Sequence, residues 1–312
     1  MNPSEDDDPR PIMAMAVLGP TASGKSHLAM KLAQALGGEL VNCDSVQLFR
    51  GFDIGSAKPT PAERQAVPHH LIDVLSCGDP YDAALYARDA AQAIAEISAR
   101  GRLAIVVGGT GLYFRALLGQ DFHAALPKDP LLRDRLGQLK TEELSEALRQ
   151  VDPERLAAIH PNDRFRLIRA LEIVTLTGNS VQSAWAAPSP PKRFFVVRLA
   201  PPRAELRQSI ATRTDAMLAA GWIEEVKGLI TLGWTRDAMP MRSIGYREIQ
   251  DFLAGTTARD DLKPLITQAT CQYAKRQSTW FRKVEADVVL EVPDLITVAK
   301  TWERAIAGRI DP

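Results

Sequence analysis

Apolar positions along this chain follow two rhythms. Residues 12–18 (IMAMAVL), 39–43 (ELVNC), 103–107 (LAIVV) and 193–199 (RFFVVRL) are short, nearly continuous apolar runs. Such runs mark strands covered on both faces. Between them the spacing changes to three and four. Leu28, Leu32 and Leu36 line one face of a helix over 25–36, and Gly37-Gly38 stops it. A second helix is expected over about 82–99. Strands alternating with helices imply right-handed crossovers and a parallel sheet. Ligands in such sheets sit beyond the carboxyl ends of the strands.

From about 125 to 190 the strand signals stop and charged, amphipathic helices take over. Asp152-Pro153-Glu154 reads as an N-cap followed by proline at the first helical position. Asn162 or Asp163 caps a helix running to about 177, which Gly178 ends. Pro188-Ser189-Pro190-Pro191 is a stiff connection back to the strand at 193–199. The region 203–283 is mostly helical, and a last short strand is expected near 287–291. There are no internal repeats.

Composition narrows the picture a little. The 312 residues include 38 Lys and Arg against 38 Asp and Glu, so contact with a nucleic acid must rely on local basic patches. Cys43, Cys77 and Cys271 are far apart and form no CxxC pair, which argues against a metal cluster or disulfide framework and fits a reducing cytoplasm. No apolar run is long enough for a membrane helix. The acidic start, 1–11, lacks the layout of a signal peptide and is expected to be a disordered tail.

The chemistry concentrates where the predicted strands end. Gly19, Pro20, Thr21, Ala22, Ser23, Gly24, Lys25 and Ser26 match the phosphate-loop pattern GxxxxGK[ST], flanked by a strand and a helix in the right order. Glycines let the backbone approach an anion, inward amides and the helix start attract it, Lys25 adds charge, and Ser26 suits a magnesium ion. The expected fold is therefore α/β: a P-loop NTPase-like parallel-sheet core (12–124 and 191–312) carrying a helical insertion domain (125–190).

A P-loop kinase or ATPase usually places a carboxylate at the end of a neighbouring strand. Strand 103–107 instead runs into Gly108-Gly109-Thr110-Gly111, with no acid until Asp121, although Asp44 could serve from the second strand. Thr110 offers a hydroxyl suited to steadying a leaving diphosphate oxygen. Asp44-Ser45-Val46-Gln47 has two readings. Asp followed three residues later by Gln is nearly a capping box, yet an aspartate in this crevice could also take a proton from an attacking nucleophile. His69 and His70 read as structural, and His27, His123 and His160 have no partners at metal-ligand spacing.

Seven blocks make the resemblance specific. GPTASGKS (19–26), NCDSVQLFRGFDIGSAKPT (42–60), PHHLIDV (68–74), VGGTGLYFRALL (107–118), IHPNDRFRLIRALE (159–172), MRSIGYRE (241–248) and AKRQSTWFRK (274–283) together resemble the tRNA dimethylallyltransferases, in the family's order and over nearly the whole chain. Phe49 stands where the family often has Tyr, and Ser56 where it often has Thr. The carboxyl-terminal part carries no Cys/His-rich finger, which points to a bacterial-type member.

The resemblance implies that the phosphate loop holds the diphosphate of dimethylallyl diphosphate rather than ATP. The prenyl group would pass to the exocyclic amine of the adenosine beside the anticodon, in a tRNA held between core and insertion. Lys25, Arg213 and Mg2+ would neutralise the leaving group, Thr110 would lie near its bridging oxygen, and Asp44 would accept the amine proton. The tRNA anticodon stem-loop would meet Asp44, Ser45, Val46 and Gln47. It would also meet Phe165, Arg166, Leu167, Ile168 and Arg169, and then Arg242, Ser243, Ile244, Gly245, Tyr246 and Arg247. Lys275, Arg276, Gln277, Ser278, Thr279, Trp280, Phe281 and Arg282 complete that set, although arginines on a helix are often a plain solvated face. A monomer in the cytoplasm is expected. Competing readings are a small-molecule kinase, a prenyltransferase of free adenine nucleotide and a non-catalytic RNA-binding module.

Overall fold

A computed structural model describes residues 12–119, 126–184 and 193–307. The acidic start and the proline-rich connection at 188–191 lie outside the described residues. Six strands run β1 (Ile12–Leu18), β2 (Glu39–Cys43), β3 (His69–His70), β4 (Ala104–Gly108), β5 (Arg193–Leu199) and β6 (Val288–Leu290). They form one sheet in the order β3-β2-β4-β1-β5-β6, and every pairing is parallel.

The sheet's two faces are separated by the period-2 alternation of strand side chains. Phe195 turns to one face, where its ring meets Trp302 of α14 (Leu295–Ala307) at 5.3 Å, while Phe194 turns to the other and meets Phe114 of α4 (Gly111–Leu117) at 5.5 Å. Helix α1 (Lys25–Leu36) buries Leu28 and Leu32 against Met15, Val17, Leu40 and Ile105, on the same face as α14. Gly37 then ends α1 in the left-handed conformation, as the glycine pair implies. Full burial of each such aliphatic side chain contributes roughly 1.5–3 kcal/mol.

Besides α4 and α14, two very short elements escape the period analysis. The helix α2 (Pro61–Ala66), capped by Thr60, and the two-residue β3 precede the expected second helix, α3 (Ala83–Ala99), which Asp82 caps. Elements of six and two residues are too short to display a period. Strand β4 also begins and ends one residue later than the apolar run suggests.

The described residues within Leu118–Pro191 form a compact unit of their own. They contain α5 (Pro130–Gln138), α6 (Thr141–Val151), α7 (Pro153–Ala157), α8 (Arg164–Thr177) and α9 (Val181–Ala184). Leu144, Leu148, Ile159, Leu167, Leu171 and Val181 make its core. Its buried Glu172 carboxylate receives Arg133, Arg169 and the N–H of Asp129. Asp152 caps α7, and Asp163, rather than Asn162, caps α8.

The other unit continues after β5 with α10 (Arg203–Ala219), α11 (Trp222–Thr231), α12 (Tyr246–Leu253) and the long α13 (Arg259–Phe281), before β6 and α14. Among the described residues no helix is long and apolar enough to cross a membrane.

Candidate active site

Strand β1 delivers the chain into the phosphate loop at Gly19. The loop closes through backbone conformations that few side chains tolerate: Ala22 sits at φ 61° and Gly24 at φ 83°. A Cβ at Gly24 would also come within 2.8 Å of Pro293, so glycine is required there twice over. The Lys25 ammonium folds back to donate to the Pro20 carbonyl at 3.2 Å. Arg213, projecting from α10, lies 3.4 Å from Thr21 Oγ1.

A cavity of about 150 Å³ opens beside this loop, bringing Thr21, Lys25, Ser26 and Arg213 together with Asp44 and Gln47. Burial pushes the Lys25 ammonium down to about 8; the adjacent Arg213 charge adds to the fall, and Asp44 opposes it. Burial also lowers Arg213, again with Asp44 pulling the other way. Two cations thus share a poorly solvated space, an arrangement that an entering polyanion relieves. Ser26 presents a hydroxyl to the same cavity, and no cluster of three or more acidic, His or Cys ligands exists among the described residues. That donor set fits a magnesium ion held mainly by phosphate oxygens and water.

The two oxygens of Asp44 leave room for both of its readings. Oδ1 accepts the N–H of Val46 at 2.9 Å and of Gln47 at 3.4 Å, which is the turn-capping role. Oδ2 makes no hydrogen bond among the described residues and remains available to the cavity that Asp44 lines. The turn is fixed from below: Asn42 Oδ1 accepts the Asp44 N–H, while Asn42 Nδ2 donates to the carbonyls of Asp44 and Leu71. Thr110 supports the same turn, its N–H reaching the Cys43 carbonyl and its Oγ1 accepting Ser45 N–H at 3.1 Å. Its hydroxyl proton remains free to donate, but Thr110 itself does not line the cavity, whereas the nearby Val107 and Gly108 do.

Gln47 is held in one orientation. Nε2 donates to the carbonyls of Ser56 and Ala57 at 3.0 and 3.1 Å, so Oε1 is the end left to accept. The segment supplying those carbonyls is fixed by two groups the sequence reading gave no role. Lys58, almost wholly buried, donates to the Phe49 carbonyl, Asp53 and Asp73 at 2.6–2.8 Å. Glu225, from α11, accepts the N–H groups of Asp53, Ile54 and Gly55 and the hydroxyl of Tyr246. Ala57, Leu71 and Asp73 all have positive φ, so strained backbone gathers around the cavity. The two departures from the family pattern are well accommodated. Phe49 sits buried between Phe52 and Trp234, and the Ser56 hydroxyl reaches the Phe52 carbonyl at 2.6 Å.

The expected RNA-facing segments divide by helix face. On α13, Lys275, Arg276, Thr279 and Trp280 join Gln272 and Lys283 along an open groove of about 490 Å³, and Arg282 is also exposed. Gln277 and Phe281 belong to the opposite, buried face. Gln277 is therefore removed from the RNA-facing set: it contacts the phosphate loop instead. Around α12, Arg242 and Arg247 are exposed while Ser243 and Ile244 are half-buried. Tyr246 is a second correction, since its ring is buried and its hydroxyl is taken by Glu225. On α8, Phe165 is 76% exposed and Arg166 pairs with Asp163, whereas Leu167 is fully buried and Arg169 is held by Glu172 and the Pro127 carbonyl. Leu167 and Phe281 lie in the core because a helical turn of 3.6 residues carries every such segment through the interior. His69 bonds to the Val67 carbonyl and His70 to Glu39, and His69 also lines the cavity.

A parallel sheet with a glycine-rich anion loop after its first strand defines a P-loop α/β protein, here with a carboxylate on the same cavity as the loop's cations. A family model described as IPP transferase matches residues 47–284, and the chain belongs to that family. The tRNA dimethylallyltransferase 1 of Citrifermentans bemidjiense is 45% identical over 290 residues, spanning 92% of this chain and 94% of that protein. The tRNA dimethylallyltransferase of Geobacter sulfurreducens is 42% identical over 284 residues, 89% of this chain and 91% of its own.

Two solved structures are similar throughout. The full-length tRNA isopentenylpyrophosphate transferase of Bacillus halodurans matches with a TM-score of 0.67 and 36% identity, covering 95% of this chain and 96% of that one. A eukaryotic dimethylallyltransferase, solved acting on tRNA, matches with a TM-score of 0.77 and 27% identity, over 94% of this chain and 77% of that one.

Proposed function

We propose that this chain transfers the dimethylallyl group of dimethylallyl diphosphate to the N6 amine of the tRNA adenosine on the 3′ side of the anticodon, releasing diphosphate. The observation that carries this reading is the shared cavity: Lys25, Ser26 and Arg213 meet Asp44 and Gln47 within one space of about 150 Å³. Membership of the IPP transferase family and the names of its relatives support the choice of donor and acceptor.

In this reading the adenine nitrogen attacks the donor's C1 as the C1–O bond breaks, and the bond's electrons pass to the diphosphate. Lys25, Arg213 and the loop amides neutralise the charge that develops there. Asp44 Oδ2 accepts the proton lost from N6, while Gln47 Oε1 accepts from the base. Thr110, its hydroxyl proton unspent, donates toward the bridging oxygen. A magnesium ion would be held by Ser26 with the diphosphate and would supply further neutralisation of the leaving group. The base must leave its stack to reach this depth. The exposed cations of α13, with Arg242 and Arg247, contact the RNA backbone. So do Phe165 and Arg166 in the other unit. The enzyme works as a cytoplasmic monomer.

The test is to incubate the protein with labelled dimethylallyl diphosphate and either an anticodon stem-loop or AMP. Label on the RNA is expected. Label on AMP alone, or steady ATP hydrolysis that Lys25→Ala abolishes, would overturn the reading.

A further inference from the structure

Gln277 is 94% shielded from solvent (6% exposed) and spans two loops that are remote from it in sequence. Its Oε1 accepts the N–H of Thr21 in the phosphate loop at 2.9 Å, and its Nε2 donates to the Gly109 carbonyl at 2.8 Å. Beyond each contact lies a group of the site. Thr21 Oγ1 is 3.4 Å from the Arg213 guanidinium. Gly109 precedes Thr110, whose Oγ1 accepts Ser45 N–H beside Asp44.

The local chemistry admits few alternatives. One end of the side chain faces an N–H and the other a carbonyl, and the amide's oxygen and NH2 satisfy both at once. A Cβ at position 109 would lie 2.4 Å from Nε2, so a side chain there would have to displace the Gln277 amide. Glutamate at 277 could still receive Thr21 but would set a negative oxygen against the Gly109 carbonyl.

We propose that Gln277 is a positioning residue: it latches the diphosphate loop to the turn after β4 and so fixes the donor's cradle relative to Asp44 and Thr110. The proposal rests on the prenyl-transfer reading and moves Gln277 from RNA contact to donor alignment. The same helix would then serve both substrates through opposite faces. Lys275, Arg276 and Trp280 line its outer groove.

Gln277→Met and Gln277→Glu separate the two roles, since both keep the side chain's length. Each leaves at least one buried polar group without a partner, a loss worth on the order of tenfold or more in whatever it supports. The expected result is at least a tenfold rise in the dissociation constant of inorganic diphosphate or in the donor KM, or an equal fall in kcat. The anticodon stem-loop Kd and its salt dependence should stay within about twofold of the unaltered protein. Weakened RNA binding with a shallower salt slope and intact donor binding would overturn the proposal, as would no change in any constant. Amide exchange of Thr21 in the unaltered protein gives a check that needs no variant. Protection is expected, and exchange as fast as in an open loop contradicts the latch. Should the unaltered protein bind neither diphosphate nor donor, the functional reading itself fails, an outcome distinct from these.

Discussion

Glu225→Ala removes a single carboxylate that anchors an entire loop. Its two oxygens accept three consecutive N–H groups, from Asp53 at 2.9 Å, Ile54 at 2.5 Å and Gly55 at 3.2 Å, and the Tyr246 hydroxyl at 2.8 Å. A hydrogen bond to a charged acceptor is worth about 1.5–3 kcal/mol, but four bonds sharing one carboxylate are not additive. Asp53 is exposed and Ile54 and Gly55 are only half-buried, so water can replace part of what is lost. Tyr246 is 1% exposed and keeps an unpartnered hydroxyl. Together these terms suggest a loss of about 2–4 kcal/mol in unfolding free energy. The local effect reaches the site, because this loop leads directly to the Ser56 and Ala57 carbonyls that orient Gln47. Urea denaturation of Glu225→Ala and Glu225→Gln measures the first effect, and steady-state kinetics with a stem-loop acceptor the second. The glutamine variant retains one acceptor oxygen and should fall between wild type and alanine. A stability change below about 0.5 kcal/mol in Glu225→Ala, typical of an ordinary surface site, would refute the anchoring role.

Two further outcomes follow from the site's charges. Because Lys25 is pushed down to about 8, it is charged below that pH and loses its proton above it. Affinity for inorganic diphosphate should therefore fall as pH rises from about 7 to 9, whereas Lys25→Arg, which stays protonated, should show no such fall; calorimetry at several pH values decides. Arg276→Ala removes one cation from the α13 groove and should lower the slope of log K against log salt for a stem-loop by about 1, with an unchanged slope excluding that groove from the interface.

What the sequence made legible was local. Helix α1, its glycine stop and β2 stand where the apolar rhythm puts them, because twelve and five residues are enough to show a period. The phosphate loop and Asp44 were readable for the same reason: each follows a recognisable strand. The supporting contacts were not. Lys58 lies in the same 42–60 stretch as Asp44, but its ion pair with Asp73, fifteen residues away, is invisible as a pattern. Glu225 meets its loop across about 170 residues, and Gln277 meets Thr21 across 256. In the sequence Gln277 reads as an RNA contact because it sits among Lys275, Arg276 and Arg282. Only the packing of α13 shows that every third or fourth residue of that basic stretch turns inward.

The reading depends most on Asp44 serving as the proton acceptor for a base placed against the diphosphate loop. Asp44→Asn keeps the Oδ1 contacts to Val46 and Gln47 and removes the basic oxygen, so it isolates that role. Single-turnover prenyl transfer to an anticodon stem-loop, measured with RNA affinity on the same protein, is the direct test. A rate lower by roughly 10²–10⁴-fold with RNA binding unchanged is the expected result. A rate within a few-fold of the unaltered enzyme, or rate and binding lost in equal measure, would contradict it.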